Sequence, residues 1–132
     1  MSFLLDTNTC SYHLRRPAGL VHRFVQHQGR LFVPSIVLAE LYVWVYRRDD
    51  PTRGVDAMDW FVRHEVQVLG YDQTCADKFG LVRAGLLGKG ISVDRFDLLI
   101  ASVALVHDLT LVTHNTADFE NIPDLRLVDW IP

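Results

Sequence analysis

Five short apolar runs, spaced so that most of the intervals between them are long enough for helices, constrain this chain more than any other feature. They are Phe3-Leu4-Leu5, Leu31-Phe32-Val33, Val66-Gln67-Val68-Leu69, Leu109 to Thr113 and Leu125 to Val128. Runs this brief, bounded by Pro, Gly or Asp, read as strands. Between them the pattern predicts helices from about Thr9 to Arg15 and, behind Pro17, from about Ala18 to Gln28, ended by Gly29. A third, capped by Ser35, runs to about Arg47, and Asp50-Pro51 opens a fourth that reaches about His64. Asp72 caps a helix to about Leu87, Asp94 caps the most apolar helix, Arg95 to His107, and Asn115 to Asp118 forms a short helical turn. The stretch from Ile36 to Tyr46 is β-branched enough to be a strand, but its length favours a buried helix. Strands alternating with helices imply a parallel or mostly parallel sheet with helices on both faces. In such sheets sites form beyond the carboxyl ends of the strands.

Length and composition set the outer limits. The 132 residues suffice for one domain with one core, and at 49% apolar and 22% charged residues the chain carries no disorder-prone or low-complexity tract. No apolar run reaches the roughly 18–20 residues of a membrane span. The first residues enter a strand without a basic leader, so a soluble cytoplasmic protein is expected. Cys10 and Cys75 lack metal-binding or CxxC spacing and read as reduced thiols in or near the core.

Net charge is −3, but its distribution is uneven. Residues 1–48 hold six arginines (Arg15, Arg16, Arg23, Arg30, Arg47, Arg48) against two acids, Asp6 and Glu40. Residues 49–132 hold seven basic residues against fourteen acids, and eleven of the thirteen basic residues are Arg. The planar Arg fork grips phosphate, so the asymmetry fits a phosphate-binding rim beside an acidic, cation-binding centre; ordinary solvated surface charge accounts for it equally well.

Four acids stand where acids are costly. Glu40 lies within Ile36-Val37-Leu38-Ala39-Glu40-Leu41-Tyr42-Val43-Trp44, and a buried carboxylate needs a counter-charge, hydrogen bonds or a proton. Asp97 lies within Phe96-Asp97-Leu98-Leu99-Ile100-Ala101. Asp6 and Asp118 follow strands. Each has an ordinary alternative: Glu40 at a helix edge, Asp97 in a carboxylate capping box with Asp94, Asp6 in a strand-end turn, Asp118 capping back to Asn115. Jointly, two acids after strands and two near the starts of apolar helices mark the places that meet at the carboxyl edge of a parallel sheet. Hard oxygen donors without a His or Cys cluster suit Mg²⁺ or Mn²⁺ rather than zinc.

The segments Leu4-Leu5-Asp6-Thr7-Asn8 with Tyr12, Pro34 to Leu41, Asp97 to Ala101, Thr113 to Phe119 and the closing Leu127-Val128-Asp129-Trp130 together resemble the PIN-domain nucleases, specifically toxins of the VapC type, over essentially the whole chain. The resemblance implies a single PIN domain over residues 1–132, built as a three-layer α/β/α sandwich, and a metal-dependent endoribonuclease that leaves a 3′-hydroxyl and a 5′-phosphate. Carried over, Asp6, Glu40 and Asp97 match the three diagnostic acids and Asp118 the more variable fourth, as ligands of Mg²⁺ or Mn²⁺. Asn8, Thr113 and Asn115 match polar residues that support the site. Asp94 reads as a helix cap and His114 as a surface residue. Arg15, Arg16, Arg47 and Arg48 are candidates for RNA backbone contacts. Tyr12 and Trp44 are candidates for base stacking, although Trp44 reads first as a core residue.

Relatives commonly form homodimers and pair with a small antitoxin whose C-terminal segment occupies the active-site groove. Val43, Trp44, Val45 and Tyr46 offer apolar surface for such contacts. Structured RNAs such as tRNA or ribosomal RNA are the implied substrates. A stand-alone RNA-processing nuclease and a non-cleaving RNA- or protein-binding module are the alternatives. A haloacid-dehalogenase-like phosphatase would want an acid where Asn8 stands. A receiver domain would want an acidic pair after the first strand and a late Lys, whereas the only lysines are Lys78 and Lys89.

Overall fold

The computed structural model describes residues 1–132, with a five-stranded sheet flanked by six helices. In chain order the elements are β1 (Phe3–Leu5), α1 (Thr7–Arg15), α2 (Pro17–Gln26), β2 (Leu31–Pro34), α3 (Ser35–Tyr46), α4 (Thr52–Trp60), β3 (Gln67–Leu69), α5 (Gln73–Gly88), α6 (Arg95–Val106), β4 (Thr110–Val112) and β5 (Leu127–Val128). The strand order is β3-β2-β1-β4-β5, and every pairing is parallel. The chain therefore starts in the middle of the sheet, builds outward through β2 and β3, then crosses to the other side of β1 for β4 and β5. That reversal puts a crevice at the carboxyl ends of β1 and β4, where neighbouring connections leave in opposite directions.

The central strands read as continuous apolar runs because helices cover both faces. Leu4, Leu5, Leu111 and Val112 are fully buried. Together with Leu31, Val33, Leu98 and Ile100 they form the middle of a core of 27 buried residues, which also takes in Cys10 and Cys75 as free thiols. No helix is long and apolar enough to cross a membrane.

Local chemistry fixes the element ends. Asp6 caps α1, accepting from Thr9 N at 2.9 Å. Asp72 caps α5 through Cys75 N at 3.0 Å, and Asp94 caps α6 through Asp97 N at 3.1 Å. Asp50 accepts from Thr52 N at 3.0 Å and Thr52 Oγ1 at 2.7 Å, holding the turn before α4. The helix from α4 continues to Glu65 through a wider turn, closed by Val66 N donating to Phe61 O at 3.2 Å. Gly29, with φ of 82°, supplies the left-handed residue that stops α2 and turns the chain into β2.

The expectation that Ser35 caps α3 is corrected. Pro34 ends β2 and is itself the residue before the helix, so Ser35 already lies in the first turn and makes no capping bond. The expectation of a buried helix holds for one face of α3 only. Its inward face is Val37, Leu41 and Val45, at successive four-residue steps, while Val43, Trp44 and Tyr46 are exposed.

Candidate active site

The crevice at the carboxyl ends of β1 and β4 is a pocket of about 240 Å³ lined by Asp6, Thr7, Asn8, Glu40, Trp44, Phe96, Asp97, Ile100, Asn115 and Phe119. Four separate segments supply it. Asp6 ends β1, with Thr7 and Asn8 opening α1 behind it. Glu40 comes from the second turn of α3, Asp97 from the first turn of α6, and Asn115 from the loop after β4. Residues some 90 positions apart meet because parallel strands present all their carboxyl ends on one edge.

Asp6 is 5% exposed. One carboxylate oxygen accepts from Thr9 N, and the Thr9 hydroxyl donates to Val112 O at 3.2 Å, which ties the start of α1 to β4. Thr113, fully buried, places its side chain against the same carboxylate. Because Thr113 Oγ1 accepts from Asn115 N at 3.1 Å, its proton remains free to serve Asp6. Even so, burial raises the Asp6 carboxyl above its ordinary 3.8, outweighing the hydrogen bonds from Thr113 and Thr9 that pull the other way.

Asp97 is pushed up to about 6, first by desolvation and then by the negative charges of Asp94, Asp118 and Asp6. Its backbone is fixed by the Asp94 cap, so Asp94 acts on the pocket through α6 rather than from its lining. Glu40 is exposed at the pocket's edge rather than buried as expected: it flanks the Val37–Leu41–Val45 face of α3 instead of lying on it. Asp118 is exposed and does not line the pocket, but its charge reaches Asp97. Asn8 and Asn115 both line it. His114 is exposed and paired with Asp129 at 3.0 Å.

No lysine, arginine or histidine is among the lining residues, so three carboxylates share one crevice without a counter-charge. The donors are all hard oxygens or amides, and the Thr7 hydroxyl is buried without a partner inside the chain. No three His, Cys, Asp or Glu side chains close into a ready-made metal cage. These residues fit Mg²⁺ or Mn²⁺, which need only one or two carboxylates and complete their octahedra with water and substrate phosphate. They do not fit zinc, which takes a closed nitrogen or sulfur set in structural sites.

Beside this pocket, sharing Trp44 with it, runs a second groove of about 420 Å³ that includes Arg15, Arg48 and Arg53. Trp44 is 43% exposed, which corrects its reading as a core residue. Of the four arginines singled out by sequence, Arg15 and Arg48 line this groove. Arg16 instead lies over the Tyr12 ring, 5.5 Å from its centroid, and Arg47 is exposed outside the groove. Arg53 was missed, because an exposed Arg in the first turn of a helix has no distinguishing sequence signal.

Residues 3–125 match the family model described as PIN domain. The chain is 36% identical to the tRNA(fMet)-specific endonuclease VapC of Shigella flexneri over 131 residues, covering 98% of each chain. It is 33% identical over 132 residues to ribonuclease VapC2 of Haemophilus influenzae, covering 99% of each. The fold superimposes on a chain of the DNA-bound VapBC complex from Salmonella typhimurium with a TM-score of 0.91 at 35% identity, over 98% of both chains.

Proposed function

This chain belongs to the PIN-domain family, and we propose that it is an endoribonuclease toxin of the VapC type that hydrolyses RNA phosphodiester bonds with Mg²⁺ or Mn²⁺ at the Asp6–Glu40–Asp97 pocket. One observation carries the chemistry: three carboxylates from separate segments line one crevice that contains no positive side chain. Such a cluster is tolerable at neutral pH when a doubly charged cation neutralises it.

Asp6, Glu40 and Asp97 would hold the cation between them, one or two directly and the rest through water, with Asp118 adding charge. When bound, the cation lowers the pKa of a water for attack on phosphorus and neutralises charge in the transition state. The chain's own residues do the positioning. Thr113 orients the Asp6 carboxylate, and the Asp94 cap fixes the backbone from which Asp97 projects. Asn8 and Asn115 offer amides along the rim for substrate oxygens or ordered water. As the water oxygen bonds to phosphorus the P–O3′ bond would break and the 3′-oxygen would take up a proton, leaving a 3′-hydroxyl and a 5′-phosphate.

A tRNA is the first substrate to assay, since one of the relatives above is named for acting on tRNA(fMet). The VapBC complex motivates a small antitoxin as partner, seated in the active-site groove, with the exposed Val43 and Tyr46 of α3 available to it or to a second copy in a homodimer. A toxin of this kind, acting on the cell's own RNA, would work in the cytoplasm. Purified protein incubated with tRNA is expected to cut it in Mg²⁺ and to stop in excess EDTA. Intact RNA in the presence of folded protein and Mg²⁺ sinks the nuclease reading, and cutting that persists in EDTA sinks the metal. Growth arrest on expression, relieved by co-expressing a short neighbouring reading frame, separates a toxin from a stand-alone processing nuclease or a non-cleaving module.

A further inference from the structure

We infer that the groove next to the acid pocket is a nucleotide subsite, in which Arg15, Arg48 and Arg53 hold the phosphate adjoining the scissile one and Trp44 stacks an unpaired base. This rests on the endonuclease reading and adds to it how the RNA strand runs.

The two concavities are opposite in charge. The acid pocket is lined by three carboxylates and no cation. The groove is lined by three arginines and no acid. Trp44 belongs to both, so they lie one side chain apart. The arginines are free to bind. The chain's ion pairs engage only His13, Arg63, His114 and Arg126. Asp49, next to Arg48, and Asp50 and Asp56, three residues to either side of Arg53, form no ion pair with these arginines; Asp50 spends its carboxylate on Thr52, and Arg15 is steadied through Nε donating to Ser11 O at 3.4 Å.

The groove is also built rather than incidental. α4 lies so close to α3 that a Cβ on Gly54 would come within 3.0 Å of Val45 Cγ1. That contact fixes the spacing between the Arg48 end of α3 and Arg53 at the start of α4. The floor carries Leu14 and Met58, apolar surface for a base face, and about 420 Å³ lies within the range of small-ligand pockets. A strand with one phosphate at the acid pocket presents its next phosphate and base to a surface of this composition. An acidic peptide would satisfy the arginines but has nothing to offer the carboxylates next door. A base can reach the Trp44 face only when unpaired, so the substrate is single-stranded or splayed beside the cut.

The test uses a labelled hairpin RNA with an unpaired loop and the same sequence closed into a blunt duplex. Binding is measured by fluorescence anisotropy in EDTA over a series of salt concentrations, and cleavage in Mg²⁺. W44A is expected to weaken hairpin binding by about 5- to 150-fold, W44F to recover most of it, and the duplex to ignore both. R48A and R53A should each flatten the slope of log affinity against log salt by about 0.7 and raise KM more than they lower kcat. R53K should keep the slope. Unchanged slopes and KM in the R48A/R53A double variant, with cleavage intact, overturn the subsite while leaving the nuclease standing. So does loss of affinity for a cognate antitoxin with RNA binding untouched, which would make the groove a protein site. If the wild type cuts nothing while these binding effects hold, the subsite stands and the catalytic reading falls.

Discussion

The two ends of the sheet each carry a charged cavity, and they solve the problem of charge in opposite ways. At the amino edge, a cavity of about 470 Å³ is lined by Asp108 and Asp124 together with Lys78, Lys89 and Arg126. Arg126 donates to Asp108 Oδ1 at 2.8 Å, to Asp108 O at 2.9 Å and to Thr110 Oγ1 at 3.3 Å, so this end supplies its own counter-ions. At the carboxyl edge the smaller pocket, about 240 Å³, gathers Asp6, Glu40 and Asp97 with no base among them. Size alone would favour the amino-edge cavity. What favours the carboxyl-edge pocket as the candidate site is charge left uncompensated by the protein, because nothing in the fold alone makes that arrangement favourable.

The largest expected effect breaks or upholds this comparison directly. D6N and D97N should reduce RNA cleavage to background without unfolding the chain, whereas D108N and D124N at the amino edge should cleave as the wild type does. Equal losses at both ends, in folded proteins, would erase the distinction. Next in size is T113V. Removing the hydroxyl that serves Asp6 should weaken Mg²⁺ binding, read by calorimetry, by about 10- to 100-fold. Wild-type affinity in T113V would show that Asp6 needs no such support.

A pH effect follows from the same imbalance. In the folded chain Asp97 titrates at about 6 and Asp6 above its ordinary 3.8, so between about 4 and 6 the folded state holds protons that the unfolded chain has released. Stability of the metal-free protein should thus fall as pH rises through that window. A thermal melt in EDTA is expected to give a lower midpoint at pH 7.5 than at pH 5, by about a few degrees. Saturating Mg²⁺ should remove most of the difference, and a midpoint that rises with pH in EDTA would contradict it. Smallest is R126A: an exposed pair at the amino edge is worth about 1 kcal/mol or less, read by urea denaturation. A loss of several kcal/mol would mean that the amino-edge pair does more than balance charge.

The chain and its site differ in how far they could be read before folding. The positions of β1, β2 and β4 followed from apolar runs buried on both faces, and the caps at Asp72 and Asp94 from residue chemistry that acts within three positions. Asp6, Glu40 and Asp97 stood out because acids inside apolar segments need a reason. Trp44 and Glu40 did not reveal their exposure, since α3 is apolar on both sides and its periodicity is weak there. The apolar character of that helix reflects a surface facing outward, which a local pattern cannot tell from a core.

The sequence by itself determined which segments become strands and helices and which acids are out of place, because those depend on burial pattern and on bonds between near neighbours. Tertiary structure alone decided that β4 lies beside β1, bringing Thr113 to Asp6, and that Asp97 enters the same crevice as Asp6. It also decided that Arg53 joins Arg15 and Arg48 across Trp44 while Arg47 does not. Those outcomes hang on strand order and helix packing, which are settled by competition among contacts distant along the chain and leave no trace in any short stretch of it.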